Sequence, residues 1–575
     1  MAFIPSESPG IVVKEFDLSG VVPAVTTSTG AIVGNFNWGP VETPVLVGNE
    51  AELVSNFGSP SLVIDSASTV DFLSAAMFLK YSSNLYVCRA VNTGAFNATD
   101  SASSSVLVKN LDDWNTQKTG LATNRTFVAK YPGEAGSALK VEVCGANAND
   151  SAFDGWALKS YFDAAPDTSS YVSARNAAGA NARDEAHVAV IDETGIFTGA
   201  PGTVLETFAF VSLVTDAKTS DGSTNYIRDV INNRSAYVWC AKSGLTDTST
   251  AAAFSALGSP AVVSKSLNGG VKSPLLDAGD YETAFDQFED VDTIQVDFLI
   301  APGLPSSVDQ VTVVNNLATI ASTLRKDCVV VTSPYRQGVV GVTNPTTITT
   351  NIQTWANLLN SSSYLIVDNN YLKVYNKYSD TYVTIPAAAA TAGIMAATDN
   401  VAAPWYSPAG TRRGQYFGVT SLAWNASKSQ RDTLYKAGVN PIVNLPGQGL
   451  LLYGDKTKLG RPSAFDRINV RRLFLAIERA IKAAAQTVMF EFNDEFTRAE
   501  FVNIVEPFLR EIKGRRGITD FRVVCDETNN TGNVIDNNQF VASIFVKPAR
   551  SINYVTLNFV AVRTGVDFEE VVGLV

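Results

Sequence analysis

Val296-Asp-Phe-Leu-Ile300 is followed by a helix-spaced apolar pattern over 308–325 and then by Cys328-Val-Val-Val-Thr332. The two apolar runs are too short for helices and are rich in residues that favour strands, so they read as strands covered on both faces. Strand, helix and strand in succession is the signature of an α/β layer. Ala236-Tyr-Val-Trp-Cys240 reads as another buried strand of the same alternation. Further upstream, Ala31-Ile-Val-Gly, Pro44-Val-Leu-Val47 and Leu85-Tyr-Val-Cys-Arg-Ala-Val91 are strand-like, while Phe72, Ala76 and Leu79 keep helical spacing. Asn49-Glu-Ala-Glu52 resembles a capping box: Asn49 accepts from a backbone N–H and Glu52 reaches back.

Two regions depart from that alternation. Residues 96–190 are rich in Ala, Ser, Asn, Asp, Gly and Thr, with short strands such as Lys140-Val-Glu-Val-Cys144, and read as a peripheral β-rich domain inserted into a larger one. Towards the end, Val470, Leu473, Phe474, Ile477, Ile481 and Ala484 fall on one helix face, with Arg471, Arg472, Arg479 and Lys482 opposite them. A second helix is expected to open on the capping box Thr497-Arg-Ala-Glu500, to end at Gly514, and to be kinked or divided by Pro507. Strands follow at 521–525, 540–546 and 554–562. The expected organisation is an N-terminal arm (1–20), the first half of a middle domain (21–95), the insertion (96–190), an α/β domain (191–345), the return of the middle domain (346–439) and a C-terminal α+β domain (440–575).

Composition narrows the function. The 575 residues carry 44 Lys and Arg against 56 Asp and Glu, a net charge of −12, and are 46% hydrophobic. That is ample for large cores and lacks the basic footprint of a general nucleic-acid binder. Charged residues are 17%, below the roughly 25% of ordinary domains, which suits a surface packed against copies of itself. The charge is polarised: residues 455–516 hold 13 basic and 9 acidic side chains, so the remainder carries −16. Such a basic stripe points to an acidic partner. The plainer readings are a solvated helix face, or Arg471 and Arg472 paired with carboxylates inside the domain.

The catalytic inventory is thin. Five dispersed cysteines with no Cys-x-x-Cys pair read as reduced, buried thiols. His187 is the chain's single histidine, which leaves no His-based metal cluster and reads as a packed imidazole. Gly449-Leu-Leu-Leu-Tyr-Gly454-Asp-Lys456-Thr457 approaches a phosphate-binding loop, but Asp455 puts an anion where phosphate would sit and Leu-Leu-Leu-Tyr is a strand sequence. No enzyme activity, cofactor or metal is expected. The N-terminus lacks the basic-then-apolar order of a signal peptide, and no apolar run approaches the ~20 residues of a membrane span, so synthesis and folding in a cytoplasm are expected, with no membrane contact.

A resemblance emerges from many short strings taken in order. Gly438-Val-Asn-Pro-Ile-Val-Asn-Leu-Pro-Gly-Gln-Gly-Leu450, Tyr453-Gly-Asp-Lys-Thr457, Asn469-Val-Arg-Arg-Leu473, Phe490-Glu-Phe-Asn-Asp-Glu495, Arg516-Gly-Ile-Thr-Asp-Phe-Arg-Val-Val524 and Lys547-Pro548 together resemble the contractile tail sheath proteins of large tailed bacteriophages. Pro9-Gly10-Ile-Val-Val-Lys-Glu, Tyr131-Pro-Gly-Glu-Ala-Gly136 and Pro404-Trp-Tyr-Ser-Pro-Ala-Gly-Thr-Arg-Arg-Gly414 fit as well. The resemblance implies a virion-tail protein, assembled in the host cytoplasm as stacked hexameric rings around a tail tube. Its other partners would be baseplate and tail terminator proteins, with no direct nucleic-acid contact. It would pass from a high-energy extended state to a contracted one that drives the tube through the host envelope. It further implies that each C-terminal domain is completed by strands from neighbouring subunits. The strand-like arm and the apolar tail suit that role, and Ile11, Val13, Phe16, Phe568, Val571 and Val572 are the expected strand-exchange residues. Arg471, Arg472, Arg479 and Lys482 would form the tube-facing helix. The alternatives are a related contractile secretion sheath or bacteriocin, or another self-assembling shell.

Overall fold

The computed structural model describes residues 27–553 apart from 61–65, 102–104, 123–124, 147–149, 176–182, 242–261 and 274. The chain divides into two units. Of the described residues, the larger comprises 27–404 and 408–479, and the smaller comprises 405–407 and 480–553.

The larger unit is built on a seven-stranded sheet. Its strands are β1 (Gly30–Gly34), β2 (Val45–Val47), β3 (Leu85–Arg89), β4 (Phe298–Ile300), β5 (Val329–Thr332), β6 (Leu365–Asp368) and β7 (Val439–Asn440), in the order β7-β6-β5-β4-β1-β3-β2. All neighbours are parallel except β2 and β3. Side chains alternate across such a sheet. Val329 and Val331 of β5 join Ile32, Ile300 and Ile366 in one core; Val330 joins Ala31, Leu299 and Val367 in the other. Both faces are covered, which is why the strands read as unbroken apolar runs.

Helices α1 (Ala67–Leu79), α2 (Ser307–Thr319) and α3 (Ala388–Val401) share the coverage: α1 and α3 lie over the first face and α2 over the second. Ser306 caps α2 by accepting from the Val308 and Asp309 N–H groups. The helix Glu50–Phe57 is capped by Asn49, which accepts from the Glu52 N–H, as expected; the Glu52 carboxylate reaches one residue further back, to the Gly48 N–H at 2.8 Å.

The insertion is longer than 96–190. Strand Glu185–Asp192 crosses that boundary and pairs with Thr203–Ser212, while Leu139–Gly145 pairs with both Glu185–Asp192 and Val263–Ser266, giving a four-stranded antiparallel sheet. Val238–Cys240, expected in the α/β alternation, pairs instead with Phe127–Ala129. A three-residue apolar strand carries no label for the sheet it joins. Ser273 closes the insertion where it began: its hydroxyl accepts from the Asn92 N–H at 2.9 Å, and its carbonyl accepts from Asn35 Nδ2 at 3.0 Å.

The boundary at 440 also moves. β7, the hairpin Ile442–Leu445/Gly449–Leu452 and the start of helix α4 (Ile468–Ala485) fold with the larger unit. In the smaller unit, helix α5 (Glu495–Gly514) is capped by Asp494 rather than Thr497, because the Asp494 carboxylate accepts from the Thr497 N–H at 2.8 Å. Pro507 is accommodated inside one continuous helix. Phe501, Val505, Leu509 and Ile512 form its buried stripe, and the helix packs against β8 (Ile518–Val524), which pairs antiparallel with β9 (Ser543–Pro548).

Candidate functional site

Three of the four basic side chains of α4 do not face outward. The Arg471 guanidinium lies between the Tyr364 and Phe465 rings, 4.2 and 4.1 Å from their centres, and donates to Ser363 Oγ at 2.7 Å. Arg472 is ion-paired with Asp399 and donates to the Met395 carbonyl. Arg479 is ion-paired with Asp297 and donates to the Asp327 carbonyl at 3.0 Å. The expectation that these three grip a tube is therefore corrected: they are spent inside the larger unit. Of the alternatives, internal pairing with a carboxylate holds for Arg472, and Arg471 is held by aromatic rings and a hydroxyl. Lys482 is exposed.

The same carboxylates hold the beginning of the described chain. Asp399 accepts from the Thr27 hydroxyl at 2.6 Å, and Asp297 accepts from the Thr29 N–H at 2.9 Å. Burial raises the Asp297 carboxyl to about 6, with Arg479 opposing the shift. Burial likewise raises Asp399 against the pull of Arg472. The start of the described chain is thus fixed to α3 and to Asp297, the residue before β4, and through the arginines to α4. Ile11, Val13, Phe16, Phe568, Val571 and Val572 lie outside the described residues.

The chain runs from β1 to β3 on one side and then to β4 on the other, so the C-terminal ends of β1 and β4 form the crevice where open α/β sheets bind ligands. Buried side chains occupy it. Asp71 accepts from the Asn35 N–H at 2.8 Å and from the Tyr281 hydroxyl at 3.3 Å, and burial raises its carboxyl to about 6. Asp368, at the end of β6, is buried among the Ser333 hydroxyl, the Thr391 hydroxyl and the Asn370 N–H, and burial raises it to about 7. Sequence reading missed these acids, because nothing in a local string marks an aspartate as internal.

The phosphate-loop-like string is a strand and a turn. Gly449–Leu452 pairs with Ile442–Leu445, buried Asp455 is ion-paired with Arg467 at 3.1 Å, and Lys456 Nζ donates to the Tyr435 carbonyl at 2.9 Å over the Tyr435 ring. His187 is packed as expected. Its Nε2 donates to the Ala164 carbonyl at 2.8 Å, its Nδ1 accepts from the Phe210 N–H at 3.1 Å, and its ring stacks on Phe162. Burial lowers its pKa, which favours this neutral tautomer. All five cysteines are buried, and none forms a disulfide. Among the described residues, no group of three His, Cys, Asp or Glu side chains could hold a metal ion.

What the smaller unit offers instead is backbone. β8 and β9 form a sheet of only two strands among the described residues. Each strand has one edge satisfied by the other and one edge with no described strand beside it, and such an edge is a template for an incoming strand.

Residues 27–90 match the N-terminal region of tail sheath protein Gp18 domain III, residues 276–458 the phage tail sheath protein central domain, and residues 461–561 the phage tail sheath C-terminal domain. The chain is 31% identical to the tail sheath protein of Vibrio phage KVP40, over 98% of this chain and 99% of that protein. The chain belongs to the phage tail sheath protein family. The tail sheath protein of Enterobacteria phage T4 is 33% identical, over 99% of both chains. The crystal structure of a sheath tail protein from Listeria innocua shares the fold, with a TM-score of 0.53 over 92% of this chain and 97% of that one, at 13% identity. The three domain matches leave 91–275 between them, the stretch that holds the inserted antiparallel sheet of this sheath.

Proposed function

We propose that this chain is the polymerising subunit of a bacteriophage contractile tail sheath. It stacks as hexameric rings around the tail tube in an extended, high-energy state, in a tail bounded by baseplate and terminator proteins, and contracts to drive the tube through the host envelope for genome ejection. The curated relatives are phage proteins, which favours a phage tail over a secretion sheath or bacteriocin. The role is structural: the energy resides in the assembled polymer, with no reaction, cofactor or metal.

The observation that carries this reading is the two-stranded β8–β9 sheet. Two strands alone are marginal in water, and an added strand supplies main-chain hydrogen bonds with alternate side-chain pockets. In this reading, Ile11, Val13 and Phe16 of one neighbour and Phe568, Val571 and Val572 of another fill those pockets and join the rings. The Thr27 and Thr29 contacts fix where the donated arm leaves its own subunit. Lys482 stays a candidate for contact with the tube.

Removing residues 1–20 tests the proposal. The truncated chain is expected to remain a folded, soluble monomer that forms no tubes by electron microscopy. Tubes of normal length from that chain would reject strand donation.

A further inference from the structure

Three phenylalanine rings stand in water at the N-terminal end of α5. Phe490, Phe492 and Phe496 are 101, 84 and 74% exposed, with Met489 beside them at 57%. The segment that carries them is held in place. Asn493 Nδ2 donates to the Gln539 carbonyl at 2.8 Å, Arg498 Nη1 donates to Asn493 Oδ1 at 2.9 Å, and Asp494 caps the helix. Phe490 holds a φ of +70°, a conformation that costs a bulky residue about 1–2 kcal/mol. A fixed loop that presents aromatic rings to solvent marks a contact surface.

Acids are interleaved with the rings. Glu491, Asp494 and Glu495 are exposed and give residues 489–496 a charge of −3. The other end of α5 has the opposite character. Arg510, Lys513, Arg515 and Arg516 are exposed and, with Glu511, give residues 510–516 a charge of +3. Aromatic surface lies there too: half-buried Trp405 and Tyr406 donate to the Arg515 carbonyl at 3.2 and 3.1 Å, and the Arg515 guanidinium sits 5.1 Å from the Trp405 ring. The helix dipole explains the sign of charge at each end. It does not explain the rings.

The two patches are complementary, yet 20 helical residues hold them about 30 Å apart, so one molecule cannot bring them together. Two molecules can. The ion pairs at the basic end, Arg510–Glu506 at 3.7 Å, Lys513–Asp520 at 3.1 Å and Arg515–Glu511 at 3.5 Å, are exposed and weak enough to exchange partners. We propose that the acidic aromatic end of α5 docks on the basic end of α5 in a second copy of this chain, a head-to-tail contact that repeats along the polymer. This rests on the reading of the chain as a polymerising sheath.

The test uses the full-length chain, with polymer yield measured by sedimentation and electron microscopy. One variant carries Glu491→Lys with Glu495→Lys, and the other Arg510→Glu with Arg516→Glu. Each alone is expected to lose at least tenfold in polymer yield, and an equal mixture is expected to regain it, since the reversed ends then meet opposite charges. Phe492→Ser, which removes an exposed ring without burying anything, should also lose yield while unfolding at the wild-type temperature. Wild-type tubes in the same buffer keep the polymer reading standing whatever the variants do; their absence would reject that reading and this one with it. Variants that polymerise as wild type, a mixture that does not recover, or variants that form tubes and lose only tail-tube binding would each overturn the head-to-tail contact.

Discussion

Arg479 and Asp297 form a buried ion pair across 182 positions of sequence, and the second oxygen of that carboxylate accepts the Thr29 N–H. Breaking a buried pair from one side leaves an uncompensated charge and costs about 3–5 kcal/mol. Arg479→Met should therefore lower the unfolding free energy by that amount in chemical denaturation. Adding Asp297→Leu should recover part of it. An unchanged midpoint for Arg479→Met would show that the pair does not form in solution.

Arg471 should not tolerate lysine. A flat guanidinium between the Tyr364 and Phe465 rings cannot be replaced by a compact ammonium that neither stacks nor forks. Arg471→Lys is expected to cost about 1–2 kcal/mol, the range of a partly desolvated cation–π contact. Wild-type stability with reduced affinity for the tail tube would instead return this residue to an outward role.

Buried acids set a pH dependence. Burial raises Asp368 to about 7, whereas the unfolded chain sheds that proton near 4. Between those values the folded state holds more protons, so stability falls as pH rises, by up to about 1.4 kcal/mol per pH unit for one such group. Asp71 and Asp297, each raised to about 6, act in the same direction. Asp368→Asn should flatten the slope of unfolding free energy between pH 5 and 7. A slope equal to that of the wild type would show that Asp368 is already ionised there.

Lys456 is committed to the Tyr435 carbonyl and ring, so it serves the fold rather than a phosphate. Lys456→Met is expected to cost about 1 kcal/mol, the worth of a typical hydrogen bond. ATP should shift the melting temperature of neither protein. A rise in wild-type melting temperature with ATP, absent from the variant, would reopen the nucleotide reading.

The α/β core was legible because its strands are covered on both faces: Cys328-Val-Val-Val-Thr332 is apolar without alternation up to Thr332 at its end, where a solvent-facing strand would alternate with polar residues. The cap on Glu50–Phe57 was legible because Asn49 and Glu52 act within one turn. Long-range facts were not. On a helical wheel Arg472 and Arg479 form a basic face, and nothing local reveals that Asp399 and Asp297 wait 73 and 182 residues away. The extent of the insertion was hidden for the same reason, since Glu185–Asp192 is placed by its partner strands and not by its own composition. The exposed aromatic loop at 489–496 did leave a local sign, apolar rings alternating with acids before a capped helix, but a sequence alone does not say which rings are covered.

The central claim is that the β8–β9 sheet is completed by backbone from other subunits. A helical reconstruction of the polymer, resolved well enough to trace main chain, tests it most directly. The expected result is that residues around Ile11–Phe16 of one neighbour and Phe568–Val572 of another run as strands hydrogen-bonded along the two outer edges of that sheet. Termini folded onto their own subunit, with those edges facing solvent, would contradict it.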